Sequence, residues 1–153
     1  MFSNRKRQPP QNNKRGRGAF SKSYNLYKII LFKNYLKTIM EKSRSLSDKG
    51  NVDYDSLIDY VKVHHYQAGQ ILIEQGCKIE NFYIIAEGTL KYLQSDKLLV
   101  ESSGTWGEEF LDDNSDLGRK VPEAVLIATD TVIAEIPFFV LKSHISNESK
   151  SVS

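Results

Sequence analysis

The 153-residue sequence predicts a mainly β chain, a jelly-roll-like β-roll with short flanking helices and a basic N-terminal arm. Three observations carry that expectation. Short strand-like segments follow one another from Val61 onward, separated by glycines or acidic turns, as in rolls and sandwiches. Apolar content of 40% and charged content of 26% suit one soluble globular domain. The first 22 residues, by contrast, hold almost no apolar side chains and cannot offset the entropy of ordering them.

The arm, residues 1–22, reads MFSNRKRQPPQNNKRGRGAFSK and is expected to be disordered. Its Arg15-Gly16-Arg17-Gly18 run is similar to short nucleic-acid-contacting segments, and nucleic acid is one partner class it leaves open; a plain solubilising tail is the other. Residues 1–44 carry twelve Lys and Arg against one acid, Glu41, for a net +11, and the remainder carries a net −9. A basic segment attached to an acidic body points to different partners for the two.

Residues 23–60 read as a helical segment followed by a linker. Ile29, Phe32, Leu36 and Ile39 recur at helical spacing between Tyr24 and Met40 and share one face. Lys28, Lys33, Lys37 and Lys42 lie mostly away from it. Such a basic amphipathic helix packs on its own domain, docks on a partner protein, or lies on an anionic membrane surface. Ser45 to Asn51 is polar and reads as a linker, and Asp55 to Tyr60 reads as a short helix with Asp53 or Asp55 as its cap.

The β-roll is expected over residues 61–141. Its strands are predicted at Val61–Tyr66, Gln70–Glu74, Asn81–Ala86, Thr89–Gln94, Leu98–Glu101, Ala124–Ala128 and Thr131–Ile136. The period-two pairs Ile71/Ile73, Tyr83/Ile85 and Leu90/Tyr92 are core candidates. Phe138–Leu141 begins a closing helix, and residues 142–153 read as a polar tail.

No catalytic constellation is present, and the chain reads as a non-enzyme. His64 and His65 are adjacent, so on a strand they face opposite ways and do not chelate one metal. Cys77, the single cysteine, excludes an intrachain disulfide and fits a reducing compartment. No Walker loop or dinucleotide fingerprint appears. No apolar run reaches the length of a membrane span and no signal-peptide core is found, so the expected location is cytoplasmic.

The spacing of glycines and aromatics over residues 66–136 resembles the cyclic nucleotide-binding domain family. Tyr66-Gln67-Ala68-Gly69, followed by a strand and Gly76, resembles the family's opening turn. Phe82-Tyr83-Ile84-Ile85-Ala86-Glu87-Gly88-Thr89-Leu90 resembles its F-Y-I-I-x-x-G-x-V hairpin. The resemblance implies a β-roll and, as possible ligand, cAMP or cGMP.

It extends into the phosphate-binding cassette, which in the family runs F-G-E-L/I-A-L and then P-R-x-A-S/T-V-x-A. There the glutamate accepts from the ribose hydroxyl, and the arginine with helix-start amides holds the cyclic phosphate. Here Trp106-Gly107-Glu108 matches F-G-E, and Glu109-Phe110-Leu111 follows, placing a bulky Phe110 where the family has a small residue. Aligning Leu126-Ile127-Ala128 with V-x-A puts Pro122 at the arginine position; Arg119 and Lys120 are the nearest cations upstream.

The candidate nucleotide-binding set is therefore Trp106, Gly107, Glu108, Glu109, Phe110 and Arg119, in degenerate form. Losing one partner of a buried charge pair costs about 2–5 kcal/mol, enough to abolish micromolar binding. The expected function is a non-enzymatic interaction module in a larger assembly, contacting protein partners through the arm and the 24–40 helix. The alternatives are a working cAMP or cGMP sensor, in which Arg119 folds back to the phosphate, and nucleic-acid contact through the arm.

Overall fold

The computed structural model describes residues 18–111 and 120–146, with side chains from Leu26 onward. Two compact units divide the chain, Met1–Asn34 and Tyr35–Ser153. The described part of the first unit is helical: helix α1 (Gly18–Lys42) begins there and ends in the second unit. The arm expected over residues 1–22 thus lies outside the described residues up to residue 17, while Gly18–Lys22 are the first residues of α1 rather than disordered chain. Of the four residues expected on one buried face, Leu36 and Ile39 are buried together with Met40, whereas Phe32 is half-buried and Ile29 is 51% exposed.

The second unit holds the roll and the elements that flank it. The stretch expected to be a linker is structured. Ser43 caps α2 (Arg44–Ser47) by accepting from the Leu46 amide, and Leu46 is fully buried. One apolar side chain in a polar run is enough to anchor it, which composition alone does not reveal. Strand β1 (Asn51–Val52) pairs with β10 (Ile145–Ser146), so the expected polar tail is ordered as far as Ser146. Helix α3 (Tyr54–Leu57) starts at the Asp53 cap, whose Oδ1 accepts from the Ser56 amide at 3.2 Å, and runs on as a 3-10 turn to Tyr60.

Two four-stranded antiparallel sheets form the roll. The first has the order β2 (Lys62–Tyr66), β9 (Thr131–Pro137), β4 (Asn81–Glu87), β7 (Gly104–Trp106). The second has the order β3 (Ile71–Ile73), β8 (Val125–Ile127), β5 (Thr89–Tyr92), β6 (Leu98–Glu101). All seven expected strands are present, and β7 is the one the alternation did not reveal. Its glycine and three-residue length give no period-two signal. Helix α4 (Phe138–Ser143) follows β9, with Phe138 and Leu141 buried.

Strand β4 is buried on both faces: Phe82 and Ile84 on one, Tyr83 and Ile85 on the other. The continuous apolar run marks a strand covered from both sides rather than one facing water. Near its end the β4–β9 register shifts between Ile85 and Glu87. Such a bulge frees a ladder carbonyl, and the Ala86 carbonyl accepts from the Tyr35 hydroxyl at 3.1 Å. The same hydroxyl lies 2.7 Å from Ser103 Oγ, so the last turns of α1 are tied to the chain just before β7.

Gly88 turns β4 into β5 at φ +111°, and a Cβ there would sit 2.2 Å from Thr131 Oγ1 and 2.7 Å from Thr131 Cα. The backbone conformation and the crowding both exclude a side chain. Gly88→Ala is expected to lower unfolding stability by about 3 kcal/mol, combining backbone strain with overpacking. Urea denaturation reads this; a loss below about 1 kcal/mol contradicts the packing described.

Candidate functional site

The site grows from β7 and the turn after it. Strand β7 is held by β4, with Trp106 opposite Tyr83 and Thr105 opposite Ile84. The Trp106 and Tyr83 rings stack at 5.9 Å with a 27° tilt, and the Phe110 ring meets Trp106 edge-on at 5.9 Å. Trp106 is buried and Phe110 half-buried, so both aromatics spend their surface on the protein itself. Gly107 then reverses the chain at φ +108°, where a Cβ would stand 3.1 Å from the Asn81 carbonyl oxygen. The turn Glu108–Phe110 is a single 3-10 turn.

That turn places Glu108 inward and Glu109 outward. Glu108 is 6% exposed. Its Oε2 accepts from Thr105 Oγ1 at 2.8 Å and from Ser43 Oγ at 3.2 Å. The two hydroxyls are themselves 3.1 Å apart. Each hydroxyl has one proton, and Ser43 Oγ also accepts from the Leu46 amide as the α2 cap. One carboxylate oxygen thus joins the start of α2 to the end of β7. Its other oxygen, Oε1, is buried and has no hydrogen-bond partner among the described residues. Glu109 lies at the surface; partial loss of water and the adjacent Glu108 charge raise its carboxyl above the usual range.

Of the six residues singled out in the sequence, Trp106, Gly107, Glu108, Glu109 and Phe110 form this one turn. Arg119 lies outside the described residues. Pro122 is exposed at the entry to β8, its carbonyl accepting from Gln75 Nε2 at 3.2 Å. Lys120 is exposed, and its backbone pairs with that of Lys78 in an isolated antiparallel bridge outside the two sheets. Sequence reasoning did not single out Ser43 and Thr105. The signals available were Ser43 three residues before the apolar Leu46, as a helix cap would be, and a threonine three residues before the glutamate.

A second polar cluster lies on the same sheet. Glu135, opposite Tyr83 in the register, accepts from the Tyr66 hydroxyl at 3.2 Å, and its Oε1 is 3.6 Å from His64 Nε2. Among the described residues no group of three His, Cys, Asp or Glu is arranged to hold a metal ion. No described helix is long and apolar enough to cross a membrane.

No protein-family model matches the sequence, and no curated protein aligns with it. Solved structures do match. The regulatory domain of Toxoplasma gondii PKA with cAMP superposes with a TM-score of 0.61 at 19% identity, covering 78% of this chain and 46% of that one. The fold is that of a cyclic nucleotide-binding domain. The regulatory subunit of a cAMP-independent protein kinase A from Trypanosoma brucei gives 0.54 at 20% identity, covering 71% of this chain and 40% of that one. The sensor domain of the transcriptional regulator DNR from Pseudomonas aeruginosa gives 0.56 at 13% identity, covering 71% and 78%. This chain spans less than half the length of the two kinase proteins, and the shared fold is the extent of the likeness. Within this fold, Trp106 ends β7 and Gly107-Glu108 opens the turn that follows it.

Two measurements test this site. Glu108→Ala removes the acceptor of two hydroxyls and is expected to cost about 2–3 kcal/mol in urea unfolding, while Glu108→Gln, which keeps a carbonyl acceptor, retains most of it. Equal loss in both variants contradicts the hydroxyl-acceptor role. The second test uses pH. Burial, then the Glu135 charge, raise the Tyr83 hydroxyl and push Tyr66 up to about 12. A hydroxyl whose folded pKa lies above the unfolded value of about 10 favours folding fully below pH 10, and that contribution disappears as pH rises toward 12. Tyrosinate absorbance is expected to show Tyr66 and Tyr83 ionising late, together with an alkaline loss of stability. Ionisation of both at pH 10 in the folded protein overturns this.

Proposed function

We propose that the chain is a non-enzymatic cyclic nucleotide-binding-like module that serves as a structural and protein-interaction subunit, its nucleotide site degenerate. The observation that carries this reading is the Glu108 carboxylate. In the family pattern that residue accepts from a ribose hydroxyl, and here its Oε2 accepts instead from Ser43 and Thr105. A nucleotide would have to compete with two hydroxyls already in place, one of them an α2 cap. Pro122 at the arginine position offers neither charge nor amide proton. Phe110 fills space beside Trp106 where the family has a small side chain. These residues do not fit a cyclic nucleotide held in the family's manner. The Trypanosoma brucei protein is the regulatory subunit of a cAMP-independent protein kinase A, so a kinase regulated without cAMP does use this fold.

The basic arm and the 24–40 segment are assigned the attachment to a larger, cytoplasmic assembly, since their net positive charge asks for an acidic counterpart.

A second reading, a cAMP or cGMP sensor, is favoured by one observation: Glu108 Oε1 is buried and has no donor among the described residues. A ligand hydroxyl would satisfy it, with Arg119 reaching the phosphate. Calorimetric titration of the full chain with cAMP and with cGMP separates the two. No saturable heat is expected at 100-fold excess over about 10 µM protein. Micromolar binding that disappears in both Glu108→Ala and Arg119→Ala overturns the structural reading in favour of the sensor.

A further inference from the structure

The two sheets of the roll end in four edge strands, β2 and β7 in the first, β3 and β6 in the second. Three of these edges are blunted. Strands β3 and β7 have three residues each, and the ladders of β3 with β8 and of β6 with β5 are broken by register shifts. Strand β2 differs: all five of its residues, Lys62 to Tyr66, pair with β9 in one unbroken register. Among the described residues its backbone makes no hydrogen bond beyond that ladder, so its outer row of amides and carbonyls is unpaired.

An unpaired edge of this length is a template for another strand. Natural edges are protected by prolines, bulges or charges along the strand, and β2 has neither proline nor bulge. Its charge, Lys62, stands at the first position. Val63, a β-branched apolar residue, is 40% exposed, and Lys62, His64 and His65 are exposed as well, so the strand is open on both faces.

The residues of β2 are also complementary to themselves. Two copies set antiparallel about a two-fold axis at His64 overlap over all five residues, and any other register overlaps fewer. Lys62 then lies opposite Tyr66 of the other copy, Val63 opposite its His65, and His64 opposite its equivalent. No lysine meets a lysine, and an ammonium beside a phenol ring is a favourable cross-strand pair. An acidic strand from a different protein is served less well. Glu135 pairs with Lys62 and shares its face, and its carboxylate is already 3.6 Å from His64 Nε2 and 3.2 Å from the Tyr66 hydroxyl.

We propose that β2 is a homotypic docking edge: a second copy of this chain pairs antiparallel with it through Lys62–Tyr66 and joins two four-stranded sheets into one. This goes beyond the module reading and does not depend on whether a nucleotide binds. Five residues a side bury less than the ~1,200 Å² of a standard interface, so the pairing is weak, with a Kd of about 100 µM.

The test uses the full chain carrying Cys77→Ser, which removes the exposed native thiol. Sedimentation equilibrium from about 10 µM to about 1 mM is expected to show monomer and dimer exchanging. Val63→Lys with His65→Lys sets like charges opposite each other at two pairs and weakens the dimer at least about tenfold, as does Val63→Glu with His65→Glu. Mixing the two double variants restores association, since each lysine then faces a glutamate, and an unchanged urea midpoint shows that the roll is intact. His64→Cys is expected to cross-link two chains under oxidised glutathione, because the axis sets that residue against its equivalent, whereas Lys62→Cys does not. A chain that stays monomeric at about 1 mM overturns the proposal, leaves the structural-module reading standing and gives the edge to a strand of another protein. A dimer that neither double variant weakens, or that cross-links through Lys62→Cys and not through His64→Cys, uses another surface and also overturns it.

Discussion

The pairing of β4 with β9 is the constraint on which the remainder of the structure hangs. Each strand is paired on both edges and buried, β4 between β9 and β7, β9 between β2 and β4. Side-chain period two makes a one-residue slip intolerable here, because it would exchange Phe82 and Ile84 with Tyr83 and Ile85 across two packed faces. The register therefore sets one transverse row, Lys62, Glu135, Tyr83 and Trp106, with no freedom to drift. Trp106 stacks on Tyr83 because the row places it there, and Gly107 can reverse the chain only against the Asn81 carbonyl at the start of the same strand. The geometry of the Glu108 turn is thus inherited from a ladder 20 to 50 residues away in sequence.

A carboxylate set into such a place has to be satisfied or it destabilises the fold. Hydrogen bonds to a charged acceptor contribute about 1.5–3 kcal/mol each, and leaving the group unpaired costs a comparable amount. Ser43 and Thr105 supply two bonds to one oxygen, and the other has none among the described residues. One oxygen of the Glu108 carboxylate is therefore a joint between the start of α2 and β7. Ser43 donates to Oε2 with its one proton and accepts from the Leu46 amide with a lone pair, so one hydroxyl serves both the carboxylate and the α2 cap. The shared serine thus couples the glutamate to the α2 cap as well as to β7.

How far the sequence was legible follows from which signals are local. Seven strands could be read from alternation and glycine spacing, and Gly69, Gly76 and Gly88 have the positive φ that their turns need. The turn at Trp106-Gly107-Glu108 was legible for the same reason, as a short contiguous motif. What escaped were features made by tertiary packing: β7, which is a strand only because β4 supplies its ladder; α2, held by the burial of Leu46; and the β1–β10 pair, which joins residues more than 90 positions apart. The carboxylate's partners escaped on the same ground. Nothing in a linear reading brings Ser43 to Glu108, 65 residues on, and without that contact the glutamate looked available to a ligand. The helical face was half legible: periodicity found the stripe through Leu36 and Ile39, but the opposite stripe dilutes the asymmetry that a periodicity argument relies on.

That dilution bears on how charge and apolar surface are divided along the chain. The first 44 residues carry +11 and the others −9, so an acidic surface attracts one part of the protein and repels the other. At physiological salt an exposed charge is screened beyond about 8 Å, so each part of the chain responds to the charges it meets locally, and the net +2 of the whole describes neither part.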